Sequence, residues 1–318
     1  MRKTSLVLVA AVLAPAVGCS WLREHTGTTD QTKKGTGKLE ARPAADFVAY
    51  LDERAARLPA IEYGDTNLTV YENGRRAVPV ALRGSLTAAQ PRNFRMVNQP
   101  FTGSGKVDLG SNDEQFWIYL NDPTAPKPVY GFATHADFQA NRVKLPMGVQ
   151  FDPDWVMQAL GMVRFPAPRP GGQPDQQYDV RIDEREHVYV LNWPAVTPSG
   201  LAVVKEVVFT GDRANDPTPQ VRRHVIRDAK TKKEIVSAEI KSAKTTTVTD
   251  PRTGQPAAVQ YPTHVVLKWA EPKFEMDLTL RQAQVNPQLT DEQARRLFTR
   301  PDRTYNQSPV DLAKYEIK

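Results

Sequence analysis

Few side chains in this sequence are placed to do chemistry. The five histidines, His25, His135, His187, His224 and His264, are scattered singly. They show neither the H-E-x-x-H spacing nor the paired spacing that brings two ring nitrogens onto one metal ion. Each reads as a surface or satisfied strand residue, and no metal is expected. Gly103-Ser104-Gly105-Lys106 invites a phosphate-loop reading, but the G-x-x-x-x-G-K-[ST] spacing is missing and Val107 stands where Ser or Thr would bind magnesium. It reads as a hairpin turn. Asp113 and Glu114 adjoin in "SNDEQ" and would suit acid–base work, yet acidic residues ahead of a strand are ordinary turn material. No G-x-S-x-G nucleophile elbow occurs. No catalytic residue and no cofactor are assigned, and the expectation is a protein that is not an enzyme.

The reactive group that remains is the thiol of Cys19, the single cysteine of 318 residues. It follows Arg2 and Lys3, an apolar stretch from Leu6 to Ala14 and then small residues, which is the order of a secretory signal. The stretch is too short for a bilayer core, which needs roughly 20 helical residues. Two cleavage sites compete. Ala14-Pro15-Ala16 fits the small-x-small rule, while Ala16-Val17-Gly18-Cys19 resembles a bacterial lipobox, in which Cys19 becomes the first residue and carries acyl groups such as palmitate. A lone thiol on an exported protein has no disulfide partner, which favours lipidation over plain secretion. Ser20 follows where an aspartate would, in the best-known bacterial sorting rule, retain a lipoprotein at the inner membrane. The expected place is the outer membrane, facing the periplasm.

Losing residues 1–18 removes Arg2 and Lys3 from a formal charge of only +6. A mild excess spread along the chain argues weakly for an anionic membrane surface and against nucleic acid, which wants a concentrated basic stripe. Residues 19–43 are rich in Thr, Gly and Lys and read as a flexible tether; a coil of that length spans about 25 to 30 Å. The folded domain is expected over 44–300, with 301–318 as a C-terminal tail.

Three helices are predicted. Phe47, Leu51, Ala55 and Leu58 share one helical face between Ala44 and Leu58, and Pro59 supplies the stop. Asp152 caps a second helix over Pro153 to Leu160, and Thr290 to Phe298 forms a third. The rest is short strands broken by turn residues, with Asn73-Gly74 a strong hairpin signal. In "KFEMDLTLRQ" the apolar and polar positions alternate strictly, giving one wet face. In "QFWIYL" and "HVYVLNW" both faces are apolar, so those strands are expected to be covered twice. Residues 164–176 hold a cluster of prolines and glycines and read as a loop, either a flap at a cavity mouth or a passive connector.

The run "LRGSLTAAQPRNFRMVNQPFTGSGKVDLGSNDEQFWIYL" and the later "THVVLKWAEPKFEMDLTLRQAQVNPQL" resemble the lipoprotein-localisation family of the carrier LolA and the receptor LolB, over residues 45 to about 300. The shared features are a Gly and a short apolar strand at Gly84 to Leu86, a turn into Phe94-Arg95, and a hairpin whose return strand ends in aromatic residues. The resemblance implies a mainly β (α+β) fold: a curved, incompletely closed antiparallel β-barrel of about 11 strands, with helices lidding its concave face. It also implies that acyl chains or lipoproteins are held in an apolar interior. Candidate lining residues are Phe94, Met96, Val107, Leu109, Phe116, Ile118, Val188, Val190, Leu267, Trp269, Phe274, Met276 and Leu278, for each of which ordinary core packing is the competing reading. The receptor branch carries a bulky apolar residue on a hairpin tip. Here "NQPFTGSG" puts Phe101 at that point, either as a membrane tip or folded back on the sheet. One phenylalanine contributes about 1.5 to 3 kcal/mol, so Cys19 would anchor the chain and Phe101 only orient it.

The sequence therefore suggests a lipid-anchored envelope protein that binds acyl chains in lipoprotein sorting or outer-membrane biogenesis, with an envelope protein as a further possible partner. Two alternatives stand beside it: an interaction lipoprotein whose sheet is filled by its own side chains, and a hydrolase with dispersed catalytic residues.

Overall fold

The computed structural model describes residues 29–30, 38–76, 81–100, 105–121, 128–143, 152–165, 177–211, 220–302 and 307–315. The signal segment, Cys19, most of the tether, Phe101 and most of the 164–176 loop lie outside the described residues.

Strand material dominates, as the short alternating runs require. In chain order the strands are β1 (Thr29–Asp30), β2 (Ala60–Glu72), β3 (Arg75–Arg76), β4 (Leu82–Ala89), β5 (Asn93–Gln99), β6 (Lys106–Ser111), β7 (Gln115–Asn121) and β8 (Val129–Thr134). They continue with β9 (Asp179–Asp183), β10 (Val188–Val196), β11 (Ala202–Thr210), β12 (Val221–Asp228), β13 (Glu234–Thr249), β14 (Pro256–Trp269), β15 (Phe274–Val285) and β16 (Val310–Asp311). All belong to one sheet of order β16-β8-β7-β6-β5-β4-β2-β15-β14-β13-β12-β11-β10-β9, with β1 beside β13 and β3 beside β2. Every long-strand neighbour is antiparallel, and β16 runs parallel to β8. The terminal strands β9 and β16 do not pair with each other, so the barrel is unclosed. The count exceeds the 11 expected partly because β1, β3 and β16 are two-residue pieces that alternation cannot mark. Asn73 and Gly74, at φ 52° and 75°, make the predicted β2–β3 turn.

A flat sheet of this width could not bring its two wings together. Here Leu109 of β6 and Phe209 of β11 belong to one apolar cluster, so the sheet curls around its apolar face. Two helices fill the hollow. α1 (Ala44–Arg57) buries Phe47, Val48, Leu51 and Ala55, with the Phe47 ring 5.2 Å from Tyr189 and 4.9 Å from Phe209. Its C-terminal carbonyls are taken by side chains: Gln90 donates to Ala55 O at 2.7 Å and Asn286 to Arg57 O at 2.9 Å. A short α2 (His135–Gln139) follows β8, capped by Thr134. α3 (Pro153–Leu160) starts on the predicted Asp152 cap, ends on left-handed Gly161, and buries Trp155, Met157, Ala159 and Leu160.

α4 (Asp291–Phe298) lies on the other side. Thr290 and Gln293 form its capping box. It packs on β5, where Arg95 donates to Leu297 O at 3.5 Å, and Asn112 donates to Phe298 O at 3.1 Å. The following segment continues over the convex face, with Arg300 4.1 Å above the Phe132 ring and the Tyr130 hydroxyl donating to Pro301 O. This cover explains why β7 is apolar on both faces: Phe116 and Ile118 join the main core, while Trp117 and Tyr119 form a second cluster with Tyr130. Within the segment 301–318, expected as a C-terminal tail, Val310 and Asp311 pair with Gly131 and Phe132 and Leu312 is buried.

Candidate functional site

The concave face is built by alternation. Leu86 of β4, Phe94 and Met96 of β5, Leu109 of β6, Val265 and Leu267 of β14 and Met276, Leu278 and Leu280 of β15 point at α3, which presents Val156, Ala159 and Leu160. These side chains enclose an apolar cavity of about 30 Å³, roughly the share of one water in the liquid. Six of the predicted lining residues meet there: Phe94, Met96, Leu109, Leu267, Met276 and Leu278. Val107, Phe116, Ile118 and Trp269 lie in the same core, and Phe274 packs half-buried against it.

Val188 and Val190 are a correction. Tyr189, Leu191 and Trp193 occupy the inner cluster, and period-two alternation sends Val188 and Val190 to the opposite face. There they share the surface with Glu206, which accepts from Arg227 at 2.9 Å and Arg181 at 3.4 Å. Two apolar faces on one strand cannot tell which one looks inward. Among the described residues the apolar space between α3 and the concave face is small, because α3 occupies it.

Next to the apolar cavity, on another flank of α3, sits a polar nest that sequence reasoning missed. Arg54, 5% exposed, points inward from α1 and donates through Nε to Gln260 O at 3.0 Å. His224 of β12 is 1% exposed, with Nδ1 3.4 Å from Gln158 Nε2 and its ring edge-on to Trp155 at 6.2 Å. Burial, and then the Arg54 charge, lowers its pKa to about 3, so the ring is neutral at pH 7. Burial likewise lowers the Arg54 pKa, with Tyr50 and Tyr63 acting the other way, and raises that of Tyr63, whose hydroxyl donates to Pro262 O at 2.7 Å. His224 therefore differs from the satisfied histidine expected, whereas His135 is satisfied, on α2 and not on a strand, with Nε2 2.8 Å from Asn112 O. His264 is partnered too, 2.8 Å from Asp277. One signal for Arg54 was present: it stands three residues after Leu51 and four before Leu58, inside the apolar stripe of its helix.

Asp113 and Glu114 sit at the β6–β7 turn, where Asn112 Oδ1 accepts from the Glu114 and Gln115 amides at 3.0 Å. They border a wide, mixed polar cleft of about 1110 Å³ between that turn and α4. Lys106 opens β6 opposite Asn121, as a hairpin residue.

No family model matches the chain, and no curated protein matches it. It is similar to several solved structures. One is a putative outer membrane lipoprotein-sorting protein domain from Vibrio parahaemolyticus, at 11% identity over 80% of this chain and 98% of that one, with a TM-score of 0.44. A LolA superfamily protein from Nitrosomonas europaea matches at 12% identity over 81% of this chain and 99% of that one, with a TM-score of 0.41. A DUF1329 family protein from Desulfovibrio piger matches at 10% identity over 78% and 94% respectively, also with a TM-score of 0.41. At such TM-scores these likenesses carry no argument about chemistry, which rests on the residues of this chain; its own sheet order and register establish the fold as a helix-filled, unclosed antiparallel barrel.

Proposed function

We propose that this chain is a lipid-anchored protein of the bacterial envelope that takes up acyl chains between α3 and the concave face, in lipoprotein sorting or outer-membrane biogenesis. The supporting observation is the wholly apolar wall shared by α3 and five strands: the hollow is stopped by a short helix and not by strand closure. With about 30 Å³ free, a guest enters only as the flank of α3 that carries Val156, Ala159 and Leu160 lifts from the wall. Burying the roughly 14 methylenes of a sixteen-carbon chain at about 0.8 kcal/mol each offsets the exposure of the α3 side chains that leave the wall. Native mass spectrometry of the full-length protein, delipidated and then incubated with phospholipid vesicles, should show one retained acyl ligand. Its absence under saturating vesicles would reject the proposal.

The small residual void also favours the second reading, an interaction lipoprotein filled by its own α3, which predicts no acyl adduct. The anchor itself is tested by the mass of the mature N-terminal peptide, which should carry acyl groups on Cys19; cleavage after Ala16 would remove the membrane from the partners. Binding here is proposed without turnover, so steady hydrolysis in an ester, glycan and peptide panel would overturn that part.

A further inference from the structure

α3 presents different chemistry on its two flanks. Val156, Ala159 and Leu160 face the apolar cavity, while Trp155 and Gln158 face the nest around Arg54 and His224. Three buried side-chain nitrogens of that nest have no hydrogen-bond partner: Arg54 Nη1, Trp155 Nε1 and His224 Nε2. All three are donors. Arginine and tryptophan cannot accept. For His224 the Gln158 amide points its N–H at Nδ1, which leaves the proton of the neutral ring on Nε2. Among the described residues no carboxylate pairs with Arg54; its neighbours are the Gln260 carbonyl, Gly161 and two tyrosines. Natural interiors rarely leave several donors without an acceptor, because each unmade bond keeps its desolvation cost. A group rich in oxygen lone pairs would complete this site, and beside a buried guanidinium it is best served by negative charge.

We infer that the nest is the head-binding site for an amphiphile that carries a free oxyanion, a carboxylate or a phosphate, with its acyl tail running along the neighbouring apolar flank of α3. This deepens the acyl-binding proposal and rests on it. It narrows the ligand from any acyl chain to one whose charged head is unblocked. The head would take charge-assisted bonds from Arg54 and neutral ones from Trp155 and His224, with no covalent bond made or broken.

The test compares three probes on the full-length, delipidated protein by native mass spectrometry in competition: palmitate, methyl palmitate and palmitoyl lysophosphatidate. Palmitate or the lysophosphatidate should bind about tenfold or more tightly than methyl palmitate, the scale of a charge-assisted hydrogen bond. The preferred one of the two identifies the head as carboxylate or phosphate. Arg54→Gln should bring the ratio to about one. Equal binding of all three probes by the wild-type protein would overturn the head site and leave the acyl-binding proposal intact, and it needs no variant to fold. Binding of none of the three would overturn both.

Discussion

Gly161 lies against the guanidinium of Arg54: a β-carbon built on Gly161 would fall 2.4 Å from Arg54 Cζ and 2.5 Å from Nη2. Its φ of 79° is left-handed as well, so the α3 terminus has two reasons to be glycine. Gly161→Ala is expected to lose about 2 kcal/mol or more, seen as a lower urea midpoint at unchanged slope. A variant as stable as the parent would mean that Arg54 can swing clear at no cost.

His224 makes stability acid-sensitive. Its folded pKa of about 3 lies below the ordinary value of 6.5, so the unfolded chain binds the extra proton between those limits and stability falls as pH drops from 6.5 toward 3. From pH 6.5 to 5 this one ring should remove about 2 kcal/mol. Urea titrations at pH 6.5 and 5 check it, since His224→Gln should flatten the difference. The same loss in the variant would assign the sensitivity to other groups.

Asp108 holds the convex cover in place. Its carboxylate, 1% exposed, accepts from Arg95 at 3.0 Å and from Trp117 Nε1 at 3.3 Å, and Arg95 in turn reaches Leu297 of α4. Asp108→Ala strands a charge and a buried indole and should cost about 3 kcal/mol or more. Limited proteolysis should then cut near α4 earlier than in the parent. Unchanged cleavage would show that the aromatic contacts alone dock that helix.

α3 and an acyl guest are proposed to compete for one wall, which gives a signed prediction. Leu160→Ala removes packing worth about 2 to 5 kcal/mol from the helix-docked state only, so it should lower stability and raise acyl affinity together. Affinity that falls in step with stability would mean that the helix helps to hold the guest, contrary to the exchange.

What is legible in the sequence is local. The stripe from Phe47 to Leu58, the Asp152 cap, the Asn73-Gly74 turn and the alternation from Phe274 to Leu280 each carry their own period or turn chemistry, and each stands in the structure where that chemistry puts it. What needs distant partners is not legible. Val188 and Tyr189 look equally apolar until α1 brings Phe47 onto the tyrosine. The cover over Trp117 arrives from residues beyond 290. The nest unites α1, α3, β12 and β14, and no spacing along the chain links Arg54 to His224.

The strand order also sets a timetable. β2 pairs on one side with nearby β4 but on the other with β15, joining Ile61 to Val285 and Glu72 to Phe274. The middle of the sheet is thus the join between the start and the end of the domain, and it can zip only after nearly the whole domain is available. Contacts this remote in sequence slow folding. Until then the edge of β2 that meets β15 has no partner and is open to pairing with another chain.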